Sequence, residues 1–276
     1  MPDNIQRFLF ADVSVRGAIV RLETSFQTII AQHHYPDAIA GLLGEALLAT
    51  VLMTNTIKFE GQLTVQFQGE GPLELLVAKC DHNNHIRGLA QWSSDALAGD
   101  VVSSISDGSL VVTIDPYKKV QPYQSVVPVE NRTISGALEH YFNLSEQLAT
   151  RFWLQVVDGQ AFGMMLQAVP PESVEDFCDV VLEAQINLKK QDVAENNATL
   201  LQNIFSRSIQ LFDEAPVEFR CTCTLERMED AVRTFGEEEA RDILLTSKEV
   251  VVTCEYCNHE YGFSTSDIDH IFSSGV

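Results

Sequence analysis

The residues with chemistry to offer gather near one end of the chain. Cys221 and Cys223 stand one residue apart in "FRCTCTLER", Cys254 and Cys257 two apart in "TCEYCNHEYGF", and thirty residues separate the pairs. Four thiolates in two close pairs suit zinc, which favours sulfur and tetrahedral coordination; each pair can supply two neighbouring corners. The C-x-C pair also sets two sulfurs close enough to oxidise to each other, though in a strained small ring. Of the six cysteines, the other two lie apart. Cys80, ending "LELLVAKC", and Cys178, in "EDFCDVV", read as small core residues.

Other uses of these residues are weaker. A thioredoxin-like C-x-x-C opens a helix after a strand, whereas "CEYCNHEYGF" has the pattern of a hairpin. His259 would ligate only in place of a cysteine, and four cysteines already complete the set. His33 and His34, and His82 and His85 in "DHNNH", read as turn or surface residues. No Ser-His-Asp, phosphate-loop or dinucleotide pattern occurs, so no catalytic residue is proposed and the chain reads as non-enzymatic. A plain zinc-ribbon adaptor remains the alternative, although C-x-C is less usual in ribbons. A structural zinc supplies about 10–16 kcal/mol of apparent binding free energy, much of it folding energy for a small unit. Neighbour disulfides in its place would close two tiny loops worth about 2 kcal/mol each. They would tie neither half of the site to the other.

The cysteines need elements to position them. "EVVVT" leads into Cys254 as a strand, Asn258 tolerates the left-handed backbone of a knuckle turn, and "EYGF" returns as a second strand. The insert "TLERMEDAVRTFGEEEARDILL" is helical in pattern, with Phe235, Ile243, Leu244 and Phe263 as a small core. This gives a C-terminal four-cysteine zinc domain at 217–276. Residues 1–171 read as an α+β core domain of sheet and helices. Strands are expected in "RFLFADVSVRGAIVRLE", with Gly17 as a bend, and in "QLTVQFQ", "LELLVAKC", "IRGLAQW", "SLVVTID", "QSVVPV", "FWLQVV" and "GMMLQAV". A helix from Pro36 is apolar nearly all round and is expected to be buried on most sides. "ISGALEHYFNLSEQLATRF" is helical in spacing, with Ser145 as an N-cap. Between the domains, 172–216 reads as a helical linker of modest stability that needs a surface to lie on.

Bulk composition narrows the partners. The chain has 276 residues, 45% of them hydrophobic, enough for one substantial core and a second small one. With 18 basic against 39 acidic residues the net charge is −21, which repels phosphates, so no nucleic-acid partner is expected. No apolar run is read as approaching the roughly 18 residues of a membrane span, and no membrane partner is expected. "MPDNIQRFLFADVSVRG" lacks the order of a signal peptide, and clustered cysteines suit metal or redox chemistry in a reducing cytosol. A cytoplasmic location follows as the expectation.

With these features in hand, the chain resembles a known family, the redox-regulated heat-shock holdases or 33 kDa chaperonins. "RFLF", "VRG", the "YP" before the long apolar helix, "KFEGQLTVQFQGEGP", "RGLAQ", "FGMMLQ", "VEFRCTC" and "CEYCNHEYGFSTSDI" carry the resemblance across nearly the whole chain. Two positions depart from the pattern: Asn258 stands where glycine is expected, and Phe162 precedes Gly163 where small residues are common. The resemblance implies that Cys221, Cys223, Cys254 and Cys257 hold one zinc in the reduced, inactive state. It implies the redox disulfides Cys221–Cys223 and Cys254–Cys257 under oxidative stress, then zinc release and unfolding of the linker. It further implies ATP-independent binding of unfolding client proteins, with a homodimer forming on oxidation.

Overall fold

The computed structural model describes residues 3–93, 108–117, 121–129, 133–170, 174–191 and 195–273. The chain forms two compact units, Met1–Phe219 and Arg220–Val276.

The first unit has two sheets around a central helix. Strands β1 (Asn4–Phe10) and β2 (Val15–Leu22) are followed by helices α1 (Thr24–Ile30) and α2 (Asp37–Thr54), then β3 (Gly61–Gln68), β4 (Leu73–Asp81) and β5 (His85–Trp92). Next come β6 (Ser109–Pro116), β7 (Tyr123–Pro128), α3 (Ile134–Tyr141), β8 (Thr150–Val157) and β9 (Gln160–Ala168). Helices α4 (Val174–Asn187) and α5 (Asn197–Ile204) and strands β10 (Ile209–Pro216) and β11 (Glu218–Phe219) complete the unit. The first sheet runs β10-β1-β2-β9-β8 and the second β11-β5-β4-β3-β6-β7. Every pairing is antiparallel except β11 with β5. The α+β class expected from the sequence is the one observed.

Helix α2 contacts strands of both sheets, which is why a sequence apolar on every side can fold there. By length and composition it is also apolar enough to cross a membrane, contrary to the expectation that no run approaches that limit. However, 72% of that window is buried inside the protein, and α2 is a core helix. Strand β3 shows how the second sheet meets it: Leu63, Val65 and Phe67 point inward while the residues between them stay partly or fully exposed.

The first sheet is apolar on both faces. Ala18, Val20, Leu22 and Met165 face the core around α2. Phe8, Phe10, Ile19, Phe162, Met164 and Leu166 face the other way, where Phe177, Val180 and Ala184 of α4 and Leu200, Leu201 and Ile204 of α5 cover them. Helices α4 and α5 thus lie on the far side of this sheet, within the first compact unit. Buried polar groups hold them as well. Asn197 accepts from Arg21 Nε at 2.9 Å and donates to Gln6 Oε1 at 3.0 Å. Asn187 Nδ2 donates to the Ile204 carbonyl at 2.8 Å, tying the end of α4 to that of α5.

Several sequence expectations give way here. The expected linker segment is not helical throughout: Ile209–Pro216 is strand β10, which pairs with β1 at the sheet edge. Sheet pairing overrides a weak helical spacing there. Gly17 lies inside β2 rather than at a bend. A side chain there would run into the Phe8 ring, so its role is to admit that ring. Ser145 caps nothing; it sits in a π-helical turn, Phe142–Glu146, while Thr133 caps α3 by accepting from the Gly136 N–H. Cys178 is exposed on α4 rather than in the core, whereas Cys80 is buried.

The second unit is built from α6 (Leu225–Phe235), α7 (Glu237–Thr246), the hairpin strands β12 (Val250–Thr253) and β13 (Glu260–Phe263), and α8 (Thr265–Ser273). Its buried apolar core is Val232, Ala240, Val250, Phe263, Ile268 and Ile271, with Ile243 and Leu244 packed alongside. Phe235, expected in this core, is exposed instead. It ends α6 just before Gly236, which turns the chain into α7 at a φ of 114°. Six core residues among the described ones are few for a self-sufficient fold.

Candidate metal centre

The four cysteines are brought together by two local structures. Cys221 and Cys223 lie in a segment without regular structure ahead of α6, and alternate residues of an extended chain project to one side. Arg227 braces that segment through Nη1, which donates to the Thr222 carbonyl at 3.0 Å and its Oγ1 at 2.9 Å. Cys254 and Cys257 occupy the turn between β12 and β13. There the Cys254 carbonyl accepts from the N–H of Cys257 at 3.3 Å and of Asn258 at 2.8 Å, and the Cys254 N–H donates to the His259 carbonyl at 2.9 Å. Asn258 has a φ of 54°, the left-handed conformation that the turn requires.

All four sulfurs lie within 4.8 Å of one another. Cys221 and Cys254 are 3.7 Å apart, Cys223 and Cys257 3.5 Å. Sulfurs about 2.3 Å from a tetrahedral zinc stand about 3.8 Å apart, so the donor set fits that metal in both number and spacing. Cys254 is buried and the other three are half-buried, which lets solvent and small oxidants reach the site. The cluster could hold a metal ion.

Electrostatics points the same way. Burial pushes the Cys221 and Cys257 thiols up. Burial also works against the Cys223 thiolate, yet hydrogen bonds from Tyr261 and the other cysteines hold that thiol below its usual range. Four sulfurs crowded together resist carrying four negative charges. A dication removes that resistance, since a coordinated thiol is deprotonated outright.

Sequence inspection passed over Tyr261. Its hydroxyl donates to Cys223 Sγ at 3.3 Å, and its own pKa is pushed up to about 12, chiefly by that bond. Its place opposite Val252 in the hairpin register was the available signal. His259 supplies its backbone carbonyl to the turn and its ring to an edge-on contact with Tyr261, 4.6 Å between centroids. The C-x-x-C opens no helix, which removes the thioredoxin-like arrangement. In the first unit, His85 binds the Asp81 carboxylate at 2.9 Å beside the β4–β5 turn, and His82 also lies in that turn.

Residues 3–264 match the family model described as Hsp33 protein. The chain belongs to the Hsp33 family. It is 38% identical to the 33 kDa chaperonin of Nitrosococcus oceani, over 99% of this chain and 96% of that protein. It is 40% identical to the 33 kDa chaperonin of Vibrio cholerae, over 98% and 95% respectively. A crystal structure of the Thermotoga maritima 33 kDa chaperonin superposes with a TM-score of 0.82 at 23% identity, covering 98% of each chain, and so shares the fold. The family match spans both units, so the four-cysteine cluster belongs to an Hsp33-type chain and not to an appended ribbon.

Proposed function

We propose that this protein is a redox-regulated, ATP-independent holdase that is inactive while Cys221, Cys223, Cys254 and Cys257 hold one zinc ion. The observation that carries this reading is the gathering of those four sulfurs within 4.8 Å of one another, in a unit whose described apolar core is small. When bound, zinc supplies most of that unit's stability. Two equivalents of peroxide or hypochlorite, reduced to water or chloride, would each take two electrons from one pair of thiolates and form Cys221–Cys223 and Cys254–Cys257, and sulfurs so bonded would no longer hold a metal. Although the 3.5 and 3.7 Å contacts cross between the pairs, disulfides there would tie the two halves together. Neighbour disulfides leave them untied, and only that outcome converts oxidation into unfolding.

The effector is the first sheet. Strand β11 ends at Phe219, two residues before Cys221, so disorder in the metal unit begins next to the segment 172–216. Helices α4 and α5, of 14 and 8 residues, are too short to persist without a surface. Their release would uncover the face of Phe8, Phe10, Ile19, Phe162, Met164 and Leu166. An apolar face is non-directional in what it binds and suits many unfolding clients. Two such faces on two copies would also account for a homodimer on oxidation. The protein acts in the cytoplasm as a non-catalytic chaperone, with no nucleic-acid or membrane partner.

Peroxide with mild heat should release one zinc per chain and produce suppression of aggregation of an unfolding client. Zinc release with no gain in suppression would indicate instead an adaptor whose metal unit is merely structural. Peptide mapping of the oxidised chain should find the neighbour disulfides; bridges between 221 or 223 and 254 or 257 would rule out the unfolding step.

A further inference from the structure

The first unit carries a cleft of about 210 Å³ whose floor includes the buried side chains of Leu52 and Met165. Two guanidinium groups line it. Arg7 of β1 and Arg16 of β2 are diagonal neighbours on one sheet face, since Arg7 pairs with Ala18 and Arg16 with Leu9. In a chain with 39 acidic and 18 basic residues, neither forms an ion pair among the described residues. Arg16 is nonetheless held in place. Its Nε and Nη2 donate to Gln167 Oε1 at 3.0 and 2.5 Å, and Nη2 reaches the Thr56 carbonyl at 3.4 Å. Gln167 is fully buried, and its amide nitrogen donates to Thr150 Oγ1 at 3.0 Å, fixing the orientation of the oxygen that receives Arg16.

The opposite wall is a β-bulge. Gln6 pairs with Glu214 but Phe8 with Leu211, so β10 carries one more residue than β1 at this point. Phe212 lies in that bulge and lines the cleft, its ring 5.7 Å below the Arg7 guanidinium. Burial and the nearby Arg7 charge hold the Arg16 pKa below its usual value. Two like charges beside an apolar floor are an unfavourable arrangement that an anion relieves.

We propose that this cleft binds a carboxylate borne on a compact apolar group, with the carboxylate at Arg7 and Arg16 and the apolar body against Leu52, Met165 and Phe212. A planar carboxylate matches the guanidinium fork, while the apolar floor disfavours a strongly hydrated phosphate. The volume falls below the roughly 300–1,000 Å³ of sites for drug-sized ligands, which limits the occupant to a short-chain acid or the C-terminus of a polypeptide ending in an aliphatic residue. The shared chemistry is the carboxylate beside a branched or short alkyl group.

The test is calorimetric titration of the reduced, zinc-loaded full chain at low salt with hexanoate, hexanamide, and N-acetyl-alanyl-leucine as free acid and as amide. Hexanoate or the dipeptide acid should bind saturably, and its amide at least about tenfold more weakly. Binding of the dipeptide acid assigns a polypeptide terminus, and binding of hexanoate alone assigns a free acid. Arg7→Gln should weaken the acid by about tenfold with an unchanged thermal midpoint, and Phe212→Ala should weaken acid and amide alike. No saturable binding of either acid, equal binding of acid and amide, or full affinity in Arg7→Gln overturns the proposal.

Discussion

A hydroxyl that donates to a thiolate draws electron density from it and makes it a poorer nucleophile. Tyr261 stands in that relation to Cys223, at 3.3 Å. Tyr261→Phe should therefore speed peroxide-driven zinc release by about two- to tenfold, the kinetic equivalent of one modest hydrogen bond. Stopped-flow detection with a zinc-binding dye checks it, and an unchanged rate would show that the bond does not restrain the sulfur. Glu45 offers a second test at this scale. It lies in α2 between the sheets, and burial pushes its carboxyl up to about 7. Because its folded pKa exceeds the unfolded one, the folded state binds the extra proton. Stability should fall as pH rises from about 4.5 to 7 and the unfolded carboxyl ionises first. Glu45→Gln should leave stability near pH 4 unchanged and raise it at pH 8 by at most about 3 kcal/mol. Parallel denaturation curves at both pH values would contradict that assignment. The four cysteines were legible from spacing alone because metal chemistry restricts residue type so tightly. Tyr261 was not, since a tyrosine in a strand ordinarily reads as packing and only the hairpin register sets its hydroxyl on a sulfur.

Among elements, the decisive pair is α4 with α5. Their hold on the sheet rests on a few side chains, Leu201 among them, which is buried against the first sheet's outer face. Leu201→Ala should cost about 2–5 kcal/mol, concentrated on the docked helices. The reduced variant should then be cut within 174–204 by a protease that spares the parent protein, and should suppress aggregation in part with zinc still bound. Resistance equal to the parent would mean that α5 contributes little to the docking. Most elements of the first unit could be read from period-two and all-round apolar patterns, because burial imposes those patterns directly. Three expectations failed. Ile209–Pro216 became a strand because an open sheet edge was available to it, Gly17 was needed by a ring on a neighbouring strand, and Phe235 was left outside by the turn at Gly236. The first two were decided by a partner on another strand, which a local pattern does not record, and Phe235 by the positive-φ turn beside it, which a helical period does not show.

For the whole molecule, the two units divide the labour by stability. The first has a continuous core around α2 and apolar burial on both sheet faces; the second has, among the described residues, a core of six buried apolar side chains beside four sulfurs. Chelation in the absence of oxidant should unfold the second unit and loosen 172–216 while the core around α2 persists, visible as two separate transitions in hydrogen exchange. A single cooperative loss of both units would contradict this division. The direct test of the central claim is one sample followed through oxidation, with zinc content, free thiols and suppression of client aggregation measured together. One zinc should leave as four thiols disappear, with suppression rising in step. A reduced chain that carries no zinc yet keeps Arg220–Val276 folded would contradict the metal-held switch outright.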